Sequence, residues 1–379
     1  MHDLVVFSHL RWDFVYQRPQ HLLSRLAGDR RVFFVEEPEQ AAGRAGISVS
    51  TPAPGVTVLR AHSPFDAAGF SDPQIAMLHP LLREKLLELG VRDAVAWFYT
   101  PMALPLLDAV AARAVVYDCM DELAAFDFAP PQLLQREADL LRLADLVLTG
   151  GPSLYEAKKS RNAHVHCFPS AVDVAHFAPA AGRVDESDIA HPRLGFFGVI
   201  DERLNLDLVA ALAAADPDWH IVMVGPVVKI DPASLPRAAN IHWLGQRHYA
   251  ELPALVQGWQ VCLLPFALNA ATRFISPTKT LEYMAAEKPV VSTAVRDVVK
   301  LYGEQIRVAG DAQEFVAQCR QALAEDTTER LIRVAHMRAA VTHSSWDRTA
   351  QAMRQLLDAV AAGADLSPRT EPSARSWGR

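Results

Sequence analysis

Short apolar runs rich in Val, Ile and Phe, separated by longer Ala- and Leu-rich segments of helical period, restrict the folding of this chain more than any other feature. The first series comprises Leu4–Phe7, Val32–Val35, Val56–Leu59, Val95–Tyr99, Val115–Tyr117, Leu146–Leu148 and Val165–Phe168. Helical patterns fall between several of them, at Pro19–Leu26, Pro73–Leu89 and Leu133–Leu143. The runs lack strict alternation, so as strands they need cover on both faces, which predicts a parallel sheet flanked by helices. The pattern then pauses. Ser170 to Pro192 holds no long apolar run and includes the polar stretch Gly182–Asp188, as a connector would. Beyond it the alternation restarts with Leu194–Phe197, Ile221–Val224, Ile241–Leu244, Val261–Leu264 and Val290–Ser292. Helical segments intervene at Leu206–Ala214, Tyr249–Trp259, Thr278–Ala286 and Ala312–Leu323. Two βα series joined by one connector predict two Rossmann-like, doubly wound α/β domains facing across a cleft, where ligands meet the carboxyl ends of the strands.

Composition excludes several classes. At 379 residues the chain has room for two domains of roughly 150 residues each. With 37 basic and 44 acidic residues it carries a net charge of −7, which argues against a nucleic-acid partner. No apolar run approaches the roughly 18 residues of a membrane span. The N-terminus, MHDLVVFSHLRWDFV, has neither the basic head nor the cleavage site of a secretory signal, so a cytoplasmic location is expected. Cys119, Cys167, Cys262 and Cys319 are widely spaced and read as buried free thiols. The 14 histidines form no HExxH motif, and no metal site is expected. GxSxG and P-loop patterns are absent.

Four segments carry candidate chemistry. In Phe274–Val291 (FISPTKTLEYMAAEKPVV), Ser276 and Pro277 read as the N-cap and first residue of a helix, with Thr278, Lys279 and Glu282 in its first turns. A helix start attracts anions, Lys279 adds a full charge, and Glu282 lies on the same face, where its carboxylate can accept two hydrogen bonds from a vicinal diol such as ribose. An i,i+3 surface ion pair on a capped helix is the plainer alternative. In Gly195–Arg203 (GFFGVIDER) a strand runs into a turn at Gly198, a context that suits phosphate, and the planar fork of Arg203 suits two phosphate oxygens. Otherwise Arg203 pairs with Glu202 or Asp207. In Arg11–His21, the loop after the first strand, Arg11, Asp13, Gln17 and Arg18 offer hydrogen bonds. Trp12, Phe14 and Tyr16 either stack on sugar rings or staple the loop, and Arg18 stands at a helix start. In Val115–Glu122 (VVYDCMDE), Asp118 is expected at the cleft mouth, where it or Asp121 serves as a general base or as a helix cap.

The run S-P-x-K-x-x-E-Y-M-A-A-x-K-P-V-V resembles the nucleotide-sugar motif of GT-B glycosyltransferases of the retaining family 4 type. Phe7–Leu23 is similar to a bacterial subset that includes teichuronic-acid-type enzymes. Phe196–Leu204 and Asn240–Gly245 fit the same pattern, so the likeness runs nearly to Ala361. It implies the GT-B fold, with an acceptor domain at 1–172, a nucleotide-sugar domain at 173–344 and a C-terminal helix, about 345–362, returning to the first domain. Residues 363–379 are expected to be disordered. The resemblance implies that Glu282 holds the ribose, and that Arg203 and Lys279 grip the donor diphosphate beside Ser276, Thr278, Gly198 and Arg18. A family acid eight positions before Glu282 is replaced by Phe274, and the usual Gly at the helix end by Glu287. The implied activity moves a sugar from a nucleotide-diphosphate donor to a glycan or lipid-linked acceptor, with retention, in cell-surface polysaccharide synthesis and with no further cofactor. Peripheral contact with the inner face of the membrane follows only if the acceptor is lipid-linked, and no basic amphipathic helix supports it. Two alternatives stay open. One is a nucleotide-sugar epimerase using Asp118 with Asp121, the other a non-catalytic scaffold, which Phe274 favours.

Overall fold

The computed structural model describes residues 1–43, 45–183 and 187–364. Of the tail expected at 363–379, residues 365–379 lie outside the described residues, as do residues 184–186 of the polar connector.

Eight strands form the N-terminal sheet: β1 (Asp3–Ser8), β2 (Val32–Gln40), β3 (Gly46–Ala53), β4 (Val56–Ser63), β5 (Ala94–Phe98), β6 (Ala112–Cys119), β7 (Leu146–Thr149) and β8 (Val165–Cys167). Their spatial order is β3-β4-β2-β1-β5-β6-β7-β8, and every pairing is parallel except β3 with β4. Leu4 to Phe7 are fully buried because helices cover both faces, as the unbroken apolar run demands. β3 is the strand that the apolar runs do not announce. It is a largely exposed hairpin partner, joined to β4 through a turn at Gly55 (φ +73°), and an edge strand facing water needs no apolar series.

Six strands form the C-terminal sheet: β9 (Arg193–Phe197), β10 (His220–Val224), β11 (Ile241–Trp243), β12 (Val261–Leu264), β13 (Val290–Thr293) and β14 (Arg307–Ala309). The order is β11-β10-β9-β12-β13-β14, all parallel. The order reverses between β1 and β5 in one sheet and between β9 and β12 in the other. At such switch points the loops diverge and leave a crevice.

One apolar core fills the C-terminal domain around Trp259, Tyr283 and Phe315, and two cores lie on the opposite faces of the N-terminal sheet. The helix Trp346–Ala361 returns to that sheet: Trp346, Met353 and Leu357 pack with Leu22, Leu23 and Leu26. Arg25–Asp347 at 2.8 Å and Arg30–Asp358 at 3.0 Å fix its register.

Several contacts join the domains. The backbone N–H of Ser153, at the start of helix Pro152–Lys158, donates to both carboxylate oxygens of Asp297 at 3.1 and 3.2 Å, so one domain caps a helix of the other. The Ser170 hydroxyl donates to the Ser276 carbonyl at 2.6 Å, and the Gln246 side-chain amide donates to the Phe14 carbonyl. Tyr16 stacks on Tyr249 with ring centroids 4.7 Å apart.

Candidate active site

The helix Thr278–Ala285 follows β12 at the C-terminal switch point and aims its first turn at the N-terminal domain. Pro277, and not Ser276, is the N-cap. Its ring fixes φ near −65° and its ψ of 119° is extended, so the helix begins one residue later than the Ser-Pro pair suggests. Ser276 instead offers its carbonyl to Ser170. The first-turn amides, which no helix can satisfy internally, therefore stand at the cleft.

A cavity of about 150 Å³ opens there, and it brings together Arg18, Gly198, Arg203, Ser276, Thr278, Lys279 and Glu282, with Asp121 on its wall. It joins a chamber of about 380 Å³ bordered by Tyr16, Gly198, Gly225, Gln246 and Tyr249. On the N-terminal side it meets a third chamber of about 470 Å³ through Gln17, Met120, Asp121, Val199 and Arg203.

Lys279 reaches this space across Gly198. The backbone there has φ +145°, and a Cβ on Gly198 would overlap Lys279 Cε, so the turn must be glycine both for its conformation and for the lysine stem. Gly225 abuts Gly198 in the same way, its Cβ position falling on the Gly198 carbonyl. The Lys279 ammonium lies 5.9 Å from the centre of the Phe196 ring. Burial lowers its pKa while Glu282 pulls it up. Glu282 is 5 % exposed, and burial pushes its carboxyl up to about 7, against the pull of Lys279. Among the described residues nothing hydrogen-bonds the Glu282 carboxylate, and no ion pair joins it to Lys279. The surface ion-pair alternative is thereby removed.

The other two cations of this cavity arrive with carboxylates of their own. Arg203 binds Asp201 through Nε at 3.0 Å and Nη2 at 2.6 Å. Arg18, only 5 % exposed, binds Asp118 through Nε at 3.2 Å and Nη2 at 2.9 Å, and donates to the Phe168 carbonyl at 2.8 Å. Asp118 is the expectation that needs correcting. It does not stand at the mouth: it is fully buried and both oxygens are occupied by Arg18, so it positions that residue and cannot take a proton from an acceptor. Three residues on, Asp121 borders both the small cavity and the third chamber. Burial raises its pKa while Arg203 lowers it.

The loop after β1 divides its labour. The fully buried Glu36 carboxylate accepts from the Trp12 amide at 2.8 Å and pairs with Arg11 and Arg60, and Trp12 packs edge-on against Phe34, so Trp12 staples the loop. Phe14 and Tyr16 face the chambers. His21 is packed flat on Trp346 at 4.8 Å, and burial lowers its pKa to about 3. Phe274 packs against the N-terminal core and supplies no polar contact from the position of the family acid. Sequence reading missed Tyr249, Gln246 and Gly225. Only Gly225, directly after the apolar run Ile221–Val224, carried a usable signal.

Two doubly wound domains with a charged cleft at their facing switch points define a GT-B architecture. Solved structures share it: a sucrose-phosphate synthase from Thermosynechococcus elongatus superposes with a TM-score of 0.74 at 16% identity, covering 96% of this chain and 100% of that one. The HepE protein of Anabaena, in complex with UDP and glucose, superposes with a TM-score of 0.70 at 16% identity, covering 94% and 100%. Residues 191–325 match the family described as glycosyl transferases group 1. A Bacillus subtilis chain assigned to teichuronic acid biosynthesis as a glycosyltransferase is 26% identical over 275 residues, which is 66% of this chain and 69% of that one. The chain is thus a GT-B glycosyltransferase. Among the described residues no helix is long and apolar enough to cross a membrane.

Proposed function

We propose that the chain transfers a sugar, with retention, from a nucleoside diphosphate donor to an acceptor hydroxyl in polysaccharide synthesis. The observation that carries this reading is the pairing, on one helix face inside the small cavity, of an unpaired ammonium at Lys279 with an unbonded, buried carboxylate at Glu282. The carboxylate suits the two ribose hydroxyls, which need acceptors and bring no charge. Lys279, the first-turn amides at Thr278 and the remaining donors of Arg203 suit the diphosphate. The nucleobase then occupies the chamber beside Gln246 and Tyr249. UDP is the nucleotide to test first, because the HepE structure of the same fold holds it. The polysaccharide role is supported by the teichuronic acid relative.

Breaking the glycosyl–phosphate bond builds charge on the departing diphosphate. A fixed ammonium and helix dipole inside a narrow cavity stabilise that charge more than the ground state, worth about 3–4 kcal/mol for one well-placed donor. In a retaining reaction the leaving oxygen takes the acceptor proton, and no separate base is needed. Asp121 favours a second reading, inversion, because it is an unpaired carboxylate between the donor cavity and the third chamber, in the place a base would occupy. Nucleotide release from UDP-sugars, measured with and without glycoside acceptors, tests transfer, and product NMR assigns the anomer. Acceptor-independent interconversion of the sugars would point to epimerisation instead. Asp121→Asn that keeps full turnover excludes the inverting reading.

A further inference from the structure

The 470 Å³ chamber on the N-terminal side has a composition that selects its occupant. Phe14, Phe70, Met102, Phe126 and Leu133 form apolar walls. Phe128, 89 % exposed, adds another ring at the border. Five carboxylates border the space. Asp72 is paired with Arg136 and Asp201 with Arg203, which leaves Glu37, Asp121 and Asp127 without an ion-pair partner among the described residues. Among the described residues the one cation there without an ion-pair partner is Lys229, whose ammonium sits 5.2 Å from the centre of the Phe126 ring. Excess negative charge among aromatic walls repels a phosphate dianion and offers it little solvation.

Among the described residues several polar groups on these walls lack hydrogen-bond partners, the Ser71 hydroxyl, Glu37 and His9 among them. The Glu37 carboxylate crosses Gly69 (φ +55°), where a Cβ would stand 2.7 Å from its Oε1, and among the described residues nothing hydrogen-bonds it. Burial pushes its carboxyl up to about 7, with Arg11 and Lys229 pulling it down. His9 Nδ1 is likewise buried without a hydrogen-bond partner. Unsatisfied polar atoms in an apolar chamber call for a ligand that supplies hydroxyls at those points and hydrocarbon elsewhere.

We propose that this chamber takes a neutral, amphiphilic glycoside as acceptor, its sugar hydroxyls bonded to Glu37 and His9 and its apolar aglycone laid along Phe126 and Leu133, and that it rejects sugar phosphates. The inference rests on the transferase reading, which sets the acceptor beside the donor cavity. The sucrose-phosphate synthase of the same fold bears a phosphorylated sugar in its name. This chamber is built for the opposite choice.

The test is calorimetric binding of hexyl β-D-glucopyranoside and of glucose 6-phosphate to the UDP-loaded protein. The glycoside should bind about tenfold tighter than the phosphate. Glu37→Gln and Phe126→Ala should each weaken the glycoside about tenfold, and Glu37→Gln, which touches no donor-cavity residue, should leave UDP affinity and the melting temperature in place. Tighter binding of glucose 6-phosphate, or two variants that bind the glycoside as wild type does, overturns the proposal. If UDP binds and the glycoside does not, this inference alone fails; if UDP itself does not bind, the transferase reading fails with it.

Discussion

Lys279 carries the uncompensated positive charge of the donor cavity, because Arg18 and Arg203 each bring a carboxylate. Lys279→Ala should therefore lower kcat about 10²–10³-fold. Arg203→Ala should lower it less, part of its charge being spent on Asp201. Steady-state kinetics of the two variants decide this. An equal or larger loss in Arg203→Ala would mean that the Asp201 pair opens when donor binds. Glu282 gives a pH signature of definite sign. With its carboxyl held at about 7 in the empty site, it is mostly protonated at pH 6 and mostly ionised at pH 8. Ribose hydroxyls bond best to the ionised form, so nucleotide binding releases a proton and UDP affinity should rise about tenfold across that range. The Glu282→Gln variant should bind more weakly at pH 8 and lose that rise. A wild-type profile no steeper than that of the variant rejects Glu282 as the ribose ligand. These residues were legible because S-P-T-K-T-L-E places a helix start, a cation and a carboxylate within one and a half turns. The arginine partners were not. Arg18 and Asp118 lie 100 positions apart, and only the folded sheet brings them together.

At the level of single elements, the helix bearing this site ends in strain. Glu287 has φ +58°, the left-handed backbone that its replacement of Gly foretold. The structure offsets that with two arginines from the helix Thr327–Thr342: Arg338 pairs with the Glu287 carboxylate at 2.6 Å, and Arg333 donates to its carbonyl at 3.0 Å. The Arg338 side chain is 69% exposed, so that pair contributes little, under about 1 kcal/mol. Relief of the strain is worth about 1 kcal/mol. Thermal melts should rank Glu287→Gly at or above wild type and Glu287→Ala below both, since alanine keeps the strain and loses the pair. A glycine variant that melts lowest would contradict this. Apolar runs marked a strand here only where burial was two-sided or the run was unbroken; β3, exposed at an edge, left no such trace, and β14 (Arg307–Ala309), which opens on a charged residue, holds no apolar run to read. That leaves twelve strands foreseen by their apolar residues.

For the whole molecule, function depends on two domains held face to face, and sequence patterning announces the domains but not the contacts between them. Asp297 is the clearest case. It reads as an ordinary first-turn acid of its own helix, yet it is 1 % exposed and caps a helix of the opposite domain. A side chain at Gly151 would collide with it. Asp297→Ala removes that cap, worth about 1 kcal/mol, and should raise the radius of gyration measured by small-angle scattering in the absence of nucleotide. An unchanged radius would show that Ser170, Gln246 and the Tyr16–Tyr249 stack hold the closed arrangement without it.

The central claim, that a diphosphate is gripped between the two domains, is tested most directly by a crystal structure of the chain with UDP. The expected map shows ribose hydroxyls on Glu282 and phosphate oxygens within hydrogen-bond reach of Lys279 Nζ, in the cavity beside Gly198. Nucleotide bound elsewhere, or a Lys279 ammonium turned away from the phosphates, would contradict it.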